Sequence, residues 1–362
     1  VKIAYVVSGI DLSVETGVLK KIVGQIRAWQ DAGCEVQLFT TSPGPEVCTS
    51  ARSIPVEITL CQGRWERLLK IGDVVRKTFA WQPDLVYHRF HTHYLHLERL
   101  LARIPTVLEI NTDDVVEYRR LMYRYEYIYH CLMRNRILRR AAGMVFVTQE
   151  LAQRYQHYNK PSIVLGNGID LAHFPTLPPT QNARPRLVFI GVGNGVWHGT
   201  EKVVEMAQHN PEWDLDLIGY TSADLPAPLP ANLKPHGLLN RNEYQPLLAC
   251  ADIGLGTLAL HNKRMEEASP LKVREYMAYG LPAIIGYMDT DFVHPVPFLL
   301  QLPNTPTNIR DSQTQIRAFV TSWKGRRVPR TEVAHLDNSY KERERLALFA
   351  QILNTCPNRS RT

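Results

Sequence analysis

The sequence predicts an α/β fold of two Rossmann-like, doubly wound domains facing each other across a cleft. Three observations carry this. Short apolar runs alternate with stretches of helical period through the first half. A proline-rich, aperiodic segment, Asp170–Arg186, interrupts the alternation, which then restarts. The length of 362 residues suits two domains. Alternating strands and helices imply βαβ units and a parallel sheet.

Taken in order, Lys2–Val7 (KIAYVV) is a buried strand and Val18–Trp29 a helix behind Gly17. Cys34–Thr40, Asp84–Tyr87, Thr106–Ile110, Gly143–Thr148 and Ser162–Leu165 are further strands. Past the linker come strands at Arg186–Ile190, Asp214–Ile218, Ile253–Thr257 and Ala283–Gly286. Helices are expected at Gly199–Gln208, Glu243–Ala249 and Tyr340–Asn354. The expected domains are 1–168 and 183–339, with the last helix, 340–362, crossing back onto the first. Ligands of such sheets bind beyond the carboxyl ends of the strands.

Composition excludes several classes. A hydrophobic fraction of 44% supports packed cores and argues against disorder. No apolar run reaches the roughly 18–20 residues of a membrane helix. The start, VKIAYVVSG, lacks a signal peptide's basic region and cleavage site, so a cytoplasmic location is expected. The six cysteines are scattered, without a C-x-x-C pair, against a disulfide framework or a zinc ribbon. The net charge of +7 points to an anionic partner without naming it.

The most informative stretch is EEASPLKVREYMAYGLP, Glu266–Pro282. Pro270 starts a helix and Gly280 with Pro282 stops it. Glu267 then falls in a loop and Glu275 inside the helix, eight positions apart. A helix start offers unpaired N–H groups to phosphate, and Lys272 adds a full charge. Carboxylates accept hydrogen bonds from sugar hydroxyls. Two acids flanking a phosphate seat suit a nucleotide-sugar; chance spacing on a solvated surface gives the same pattern.

In context the stretch resembles the retaining glycosyltransferases of the GT-B fold, the large family 4 group. Supporting segments are VLGNGIDLAHF (Val164–Phe174), FIGVGNGVWHGTEKVVEMA (Phe189–Ala207), LIGY (Leu217–Tyr220), ACADIGLGTL (Ala249–Leu258) and the opening IAYVVSG…TGVLKKIVGQIRAWQDAGCEVQLFT. The resemblance implies an acceptor-side first domain and a donor-binding second domain. It implies a UDP-, GDP- or ADP-sugar donor, a glycan or lipid-linked acceptor, and no cofactor or metal. Glu267 would hold the donor sugar and Glu275 the ribose. The backbone of Ser269, Pro270, Leu271 and Lys272 would meet the diphosphate, with Gly17 letting the first-domain backbone approach. A role in cell-envelope or exopolysaccharide synthesis, at the inner face of the membrane, goes with the same resemblance.

Two departures are visible. The family's basic pair at the first strand of the second domain is absent; His198 stands in the lysine position, and Lys202, Arg264 and Lys272 are substitutes. Where relatives carry a histidine near the donor sugar, this chain has Asn111, which can bond a hydroxyl but cannot shuttle a proton. Glu109 is then a candidate for acceptor deprotonation, or a satisfied buried acid. Asp113 and Asp114 read as helix caps.

The histidines of HRFHTHYLH (His88, His91, His93, His96) have no recognised metal spacing and are expected beside the acceptor or on a solvated helix. The run Arg119–Arg140 holds seven arginines, four tyrosines and one glutamate. It reads either as a peripheral membrane contact or as a domain helix with its arginines in water; with no recognition motif, nucleic acid is not expected. Rival functions are a noncatalytic sugar-nucleotide-binding partner and an epimerase or hydrolase on the same fold.

Overall fold

A computed structural model of the chain describes residues 1–355, except Val192, Asn194 and the side chain of Arg64. Cys356 and the end of the expected last helix lie outside the described residues. Contacts divide the chain into Val1–Gly166 with the chain from Asn338 onward, and Asn167–Asp337.

The first unit contains β1 (Lys2–Val7), β2 (Glu35–Ser42), β3 (Val56–Leu60), β4 (Leu85–Arg89), β5 (Thr106–Ile110), β6 (Gly143–Phe146) and β7 (Ser162–Val164). Its helices are α1 (Gly17–Asp31), α2 (Arg64–Trp81), α3 (Leu95–Arg103), α4 (Asp114–Leu121), α5 (Arg124–Arg140) and α6 (Gln149–Tyr155). All strand pairs are parallel, in the order β3-β2-β1-β4-β5-β6-β7. Because β1 is covered on both faces, its sequence is continuously apolar. Thr16 caps α1 by accepting from Leu19 N. Leu19, Ile22, Val23, Ile26 and Trp29 then form one buried stripe at helical spacing. Trp29 packs against Tyr5, Tyr87 and Phe349 with ring centroids 5.3–5.6 Å apart. Phe349 belongs to the C-terminal helix Asn338–Thr355, whose Glu342 accepts from Trp29 Nε1 at 2.7 Å.

The second unit contains β8 (Arg186–Ile190), α7 (Thr200–His209), β9 (Asp214–Ile218), β10 (Leu233–Gly237), α8 (Arg241–Cys250), β11 (Ile253–Leu255), β12 (Glu267–Ala268), α9 (Leu271–Ala278), β13 (Ala283–Ile285), β14 (Met288–Asp289) and β15 (Leu299–Gln301), then α10 (Asn308–Asp311) and α11 (Gln313–Trp323). Its main sheet runs β10-β9-β8-β11-β13-β15 and is parallel too. Both sheets therefore reverse direction beside their first strand, leaving a crevice at the carboxyl ends.

Several expectations need correction. β3, β10 and β15 were not anticipated: they are short edge strands, and LKPHG carries a proline and polar residues that mask the pattern. Glu267 is not in a loop; with Ala268 it forms β12, paired to Met288–Asp289. The basic run is not one helix, because the chain turns at Met122–Tyr123 between α4 and α5. Nor are all its arginines free: Arg134 pairs with buried Asp114 at 2.6 Å, and Arg136 and Arg140 pair with Glu98 at 3.5 and 3.1 Å.

Candidate functional site

The Glu266–Pro282 stretch is held at the carboxyl edge of the second sheet by Arg274. This residue is wholly buried on α9. Its guanidinium grips Asp289 through two bonds, of 2.7 and 2.9 Å, and pairs with Asp291 at 2.8 Å. It also donates to Ser269 Oγ at 2.8 Å and to Asn167 O at 3.0 Å. Asn167 N in turn donates to Ser269 Oγ at 2.7 Å. The Ser269–Pro270 turn, β14 and the start of the linker are thus locked by one cation that makes five hydrogen bonds. Nothing in the local sequence around Arg274 signals this role.

α9 is also fixed from below. Tyr276 Oη accepts from Ile190 N at 2.8 Å and donates to Leu255 O at 3.2 Å, tying the helix to the ends of β8 and β11. A Cβ on Gly254 would lie 2.4 Å from the Tyr276 ring, so the close approach requires glycine there. As the sequence suggests, α9 starts after Pro270 and ends before Gly280, which has φ +80°.

On this rigid frame Lys272 is the odd group. Its Nζ is buried, lies 3.9 Å from the centroid of Phe189, and has no hydrogen-bond partner among the described residues. Burial pulls its pKa down to about 7. An ammonium left unpaired in a dry site is costly, and an arriving anion would relieve it. Glu275, three residues on, accepts from Tyr244 Oη at 2.8 Å. Glu267 lies on β12 just before the turn. The continuous segment β12–turn–α9 therefore carries an acid, a cation at a helix start with no hydrogen-bond partner among the described residues, and a second acid.

The other candidates fall differently. His198 Nδ1 is 2.5 Å from Tyr220 Oη, which donates to Gly193 O at 3.0 Å. Burial, with Lys272 and Lys263 adding to it, lowers the His198 pKa to about 3. The imidazole is neutral and does not supply the missing positive charge. Lys202 is buried and donates to Thr305 O at 2.6 Å and Asn308 Oδ1 at 2.8 Å, so it braces α7 against α10. Arg264 is exposed, in left-handed backbone at φ +53°.

In the first unit, Glu109 is 1% exposed and ion-paired to Lys21 at 2.7 Å and Arg89 at 3.2 Å. Although burial alone would raise its pKa, Lys21 and Arg89 hold it far below the usual carboxylate range. An acid held so firmly ionised is a poor proton acceptor. Lys21 also donates to Asn111 Oδ1 at 3.0 Å, while Asn111 Nδ2 is buried without a partner among the described residues. Gly17 opens α1, but the positive φ in the preceding loop belongs to Gly9, at +101°. Asp113 caps α4 as expected, accepting from Val115 N and Val116 N. Asp114 instead is buried, bonded to His130 at 2.5 Å, to Arg134 and to Tyr155. His88 bonds Val6 O at 3.0 Å, and His93 is fixed between Tyr129 and Glu98 at 2.8 and 2.7 Å. Among the described residues no group of three or more His, Cys, Asp or Glu is placed to hold a metal, and no helix is long and apolar enough to cross a membrane.

Two parallel sheets with this strand order define the GT-B fold, and solved structures share it. The chain aligns with the apo lipopolysaccharide outer core galactosyltransferase WaaB at TM-score 0.66 and 13% identity, covering 97% of this chain and 99% of that one. It aligns with sucrose-phosphate synthase from Thermosynechococcus elongatus at TM-score 0.63 and 15% identity, covering 97% and 96%. It aligns with Anabaena Alr3699/HepE, solved with UDP and glucose, at TM-score 0.62 and 16% identity, covering 96% and 99%. No curated protein sequence matches the chain. Residues 17–173 match the model of Glycosyltransferase Family 4. The chain has the GT-B fold.

Proposed function

We propose that the protein is a retaining hexosyltransferase that takes a UDP-, GDP- or ADP-sugar as donor and a glycan or lipid-linked acceptor. The observation that carries the donor half is Lys272: a buried ammonium with no partner among the described residues, at a helix start, between Glu267 and Glu275. A diphosphate supplies the anion this site lacks. Glu267 bonds the donor sugar, Glu275 the ribose, and the Ser269–Leu271 backbone the phosphates. As the bond between the anomeric carbon and phosphate oxygen breaks, negative charge gathers on the diphosphate. Lys272 and the helix N–H groups stabilise it in a site already organised for it. The acceptor oxygen forms its bond on the same face, its proton passing to the departing diphosphate. This step asks no base of Glu109 and only a hydrogen bond of Asn111. Synthesis of a cell-envelope or extracellular polysaccharide, from the cytoplasmic side, is the setting this reading implies by analogy alone.

Thermal stabilisation by a panel of UDP, GDP, ADP and their sugars tests the donor half. One base should raise the melting temperature of the wild type and fail to do so for Lys272→Met. No shift with any of them overturns the reading. The anomeric configuration of the product, read by NMR, tests retention.

A further inference from the structure

The first unit carries a cavity that its own fold does not explain. It has a volume of about 530 Å³ and lies between the start of α2, the loop after β4, and the α4–α5 turn. Its inner wall includes His91 and Tyr118, whose rings sit 5.3 Å apart. Burial, with the nearby Arg67 charge, lowers the His91 pKa to about 3, so it presents a neutral ring. The rim is apolar yet open to solvent: Trp65 is 70% exposed, Leu68 45%, Leu121 53% and Tyr125 54%. Trp65 stacks on Tyr125 at 6.1 Å and 7°, and Tyr125 on Tyr123 at 5.8 Å and 4°, which makes an uncovered ladder of three rings. Leu69 and Leu132, on the same two helices α2 and α5, are 79% and 73% exposed. Apolar side chains exposed around a cavity in this way mark a binding site, and tryptophan and tyrosine suit the boundary between lipid and water.

The charge around it is mostly positive. Arg67 lines the cavity, and its Nε is buried with no partner among the described residues. The loop after β1 makes room for its guanidinium: a Cβ at Gly9 would lie 2.7 Å from Arg67 Cζ. Among the described residues, Arg119, Arg120 and Arg124 beside the α4–α5 turn form no ion pair. Glu126, the one acid of the lining, is held at the start of α5, accepting from Tyr123 N at 3.2 Å.

We infer that this pocket binds a membrane-resident amphiphile: an acyl or isoprenoid chain lies against the aromatic ladder while its phosphate meets Arg67. A free glycan would leave the exposed leucines uncovered, and a neutral lipid would leave Arg67 unpaired; a chain bearing a phosphate satisfies both. The inference rests on the acceptor half of the proposed function and selects its lipid-linked form.

Vesicle co-sedimentation tests it. The full chain is mixed with phosphatidylcholine vesicles that contain a polyprenyl phosphate, with phosphatidylcholine alone, and with phosphatidylcholine containing phosphatidylglycerol. Retention on the polyprenyl phosphate vesicles is expected to exceed that on the other two by tenfold or more. Arg67→Gln and the double variant Trp65→Ser/Tyr125→Ser should each lower it at least severalfold. The nucleotide-induced thermal shift, a property of the second unit, is the check that both variants are folded and should not move. No retention on the polyprenyl phosphate vesicles, equal retention on plain phosphatidylcholine, or retention that follows anionic charge alone and survives loss of Trp65 and Tyr125 overturns the inference. Retention without any nucleotide response would sink the donor reading and leave this one standing.

Discussion

Each unit buries a lysine near the carboxyl end of its sheet, and the two lysines live differently. Lys21 has its counter-charge built into the chain: Glu109 lies at 2.7 Å and Asn111 accepts at 3.0 Å. Among the described residues, Lys272 Nζ has no hydrogen-bond partner and lies over the face of Phe189. Burial lowers both, Lys21 to about 8 against the opposing pull of Glu109 and Lys272 to about 7. A buried charge whose partner is covalently part of the protein is architecture. A buried charge with no partner among the described residues is the one for which an anionic ligand is proposed.

The comparison breaks most visibly at Glu109. Glu109→Gln leaves Lys21 and Arg89 facing no carboxylate in a buried site. Breaking a buried pair in this way costs about 3–5 kcal/mol, which urea unfolding would register, while nucleotide affinity should stay unchanged. A mild effect would mean that the Lys21 cluster is looser than its geometry.

Glu267, the proposed donor-sugar contact, comes next. Glu267→Ala should lower transfer roughly tenfold or more, the loss of charge-assisted hydrogen bonds of about 1.5–3 kcal/mol. Activity within a few-fold of wild type would remove Glu267 from the donor site.

Lys272→Met sharpens the contrast because its two effects have opposite signs. The empty protein should gain stability, on the order of 1 kcal/mol or more, since an unpaired buried charge is replaced by an apolar side chain of similar length. Nucleoside diphosphate binding should weaken roughly tenfold or more. A variant less stable than wild type would show that the ammonium has an internal partner after all.

The same lysine predicts a pH dependence. Its folded pKa lies below the unfolded value, so between about pH 7 and pH 10.5 the unfolded chain binds more protons. Stability of the empty protein relative to Lys272→Met should therefore rise with pH across that window and be flat below it. Diphosphate binding restores the charge. Above pH 7 it should take up a proton, measurable by calorimetry in buffers of different ionisation heat, and weaken as pH rises.

The smallest effect is expected at Glu275. Glu275→Ala removes the acceptor of the Tyr244 bond as well as the proposed ribose contact, and should weaken nucleotide binding severalfold. Unaltered affinity would count against the ribose contact.

Local pattern made part of this legible in the sequence. A short, β-branched apolar run such as KIAYVV fits a strand covered on both faces, and Pro270 with Gly280 frames α9 by backbone sterics alone. These are short-range effects, so one chain suffices to read them, and they placed Glu275 on a helix behind the Ser269–Pro270 turn. The edge strands escaped because a half-covered, proline-bearing segment loses the apolar signal.

What remained was decided in three dimensions. Arg274 looked like one more polar residue on a short helix; its partners Asp289, Asp291 and Asn167 come from other segments that meet only when the sheet closes. Lys202 and Lys272 are indistinguishable as letters. Tertiary packing gave one of them Thr305 and Asn308 and left the other against an aromatic ring. The sequence determined which charges exist and on which elements they ride. Only the tertiary structure decided which were desolvated and which met a partner, because desolvation and ion pairing depend on neighbours far away along the chain.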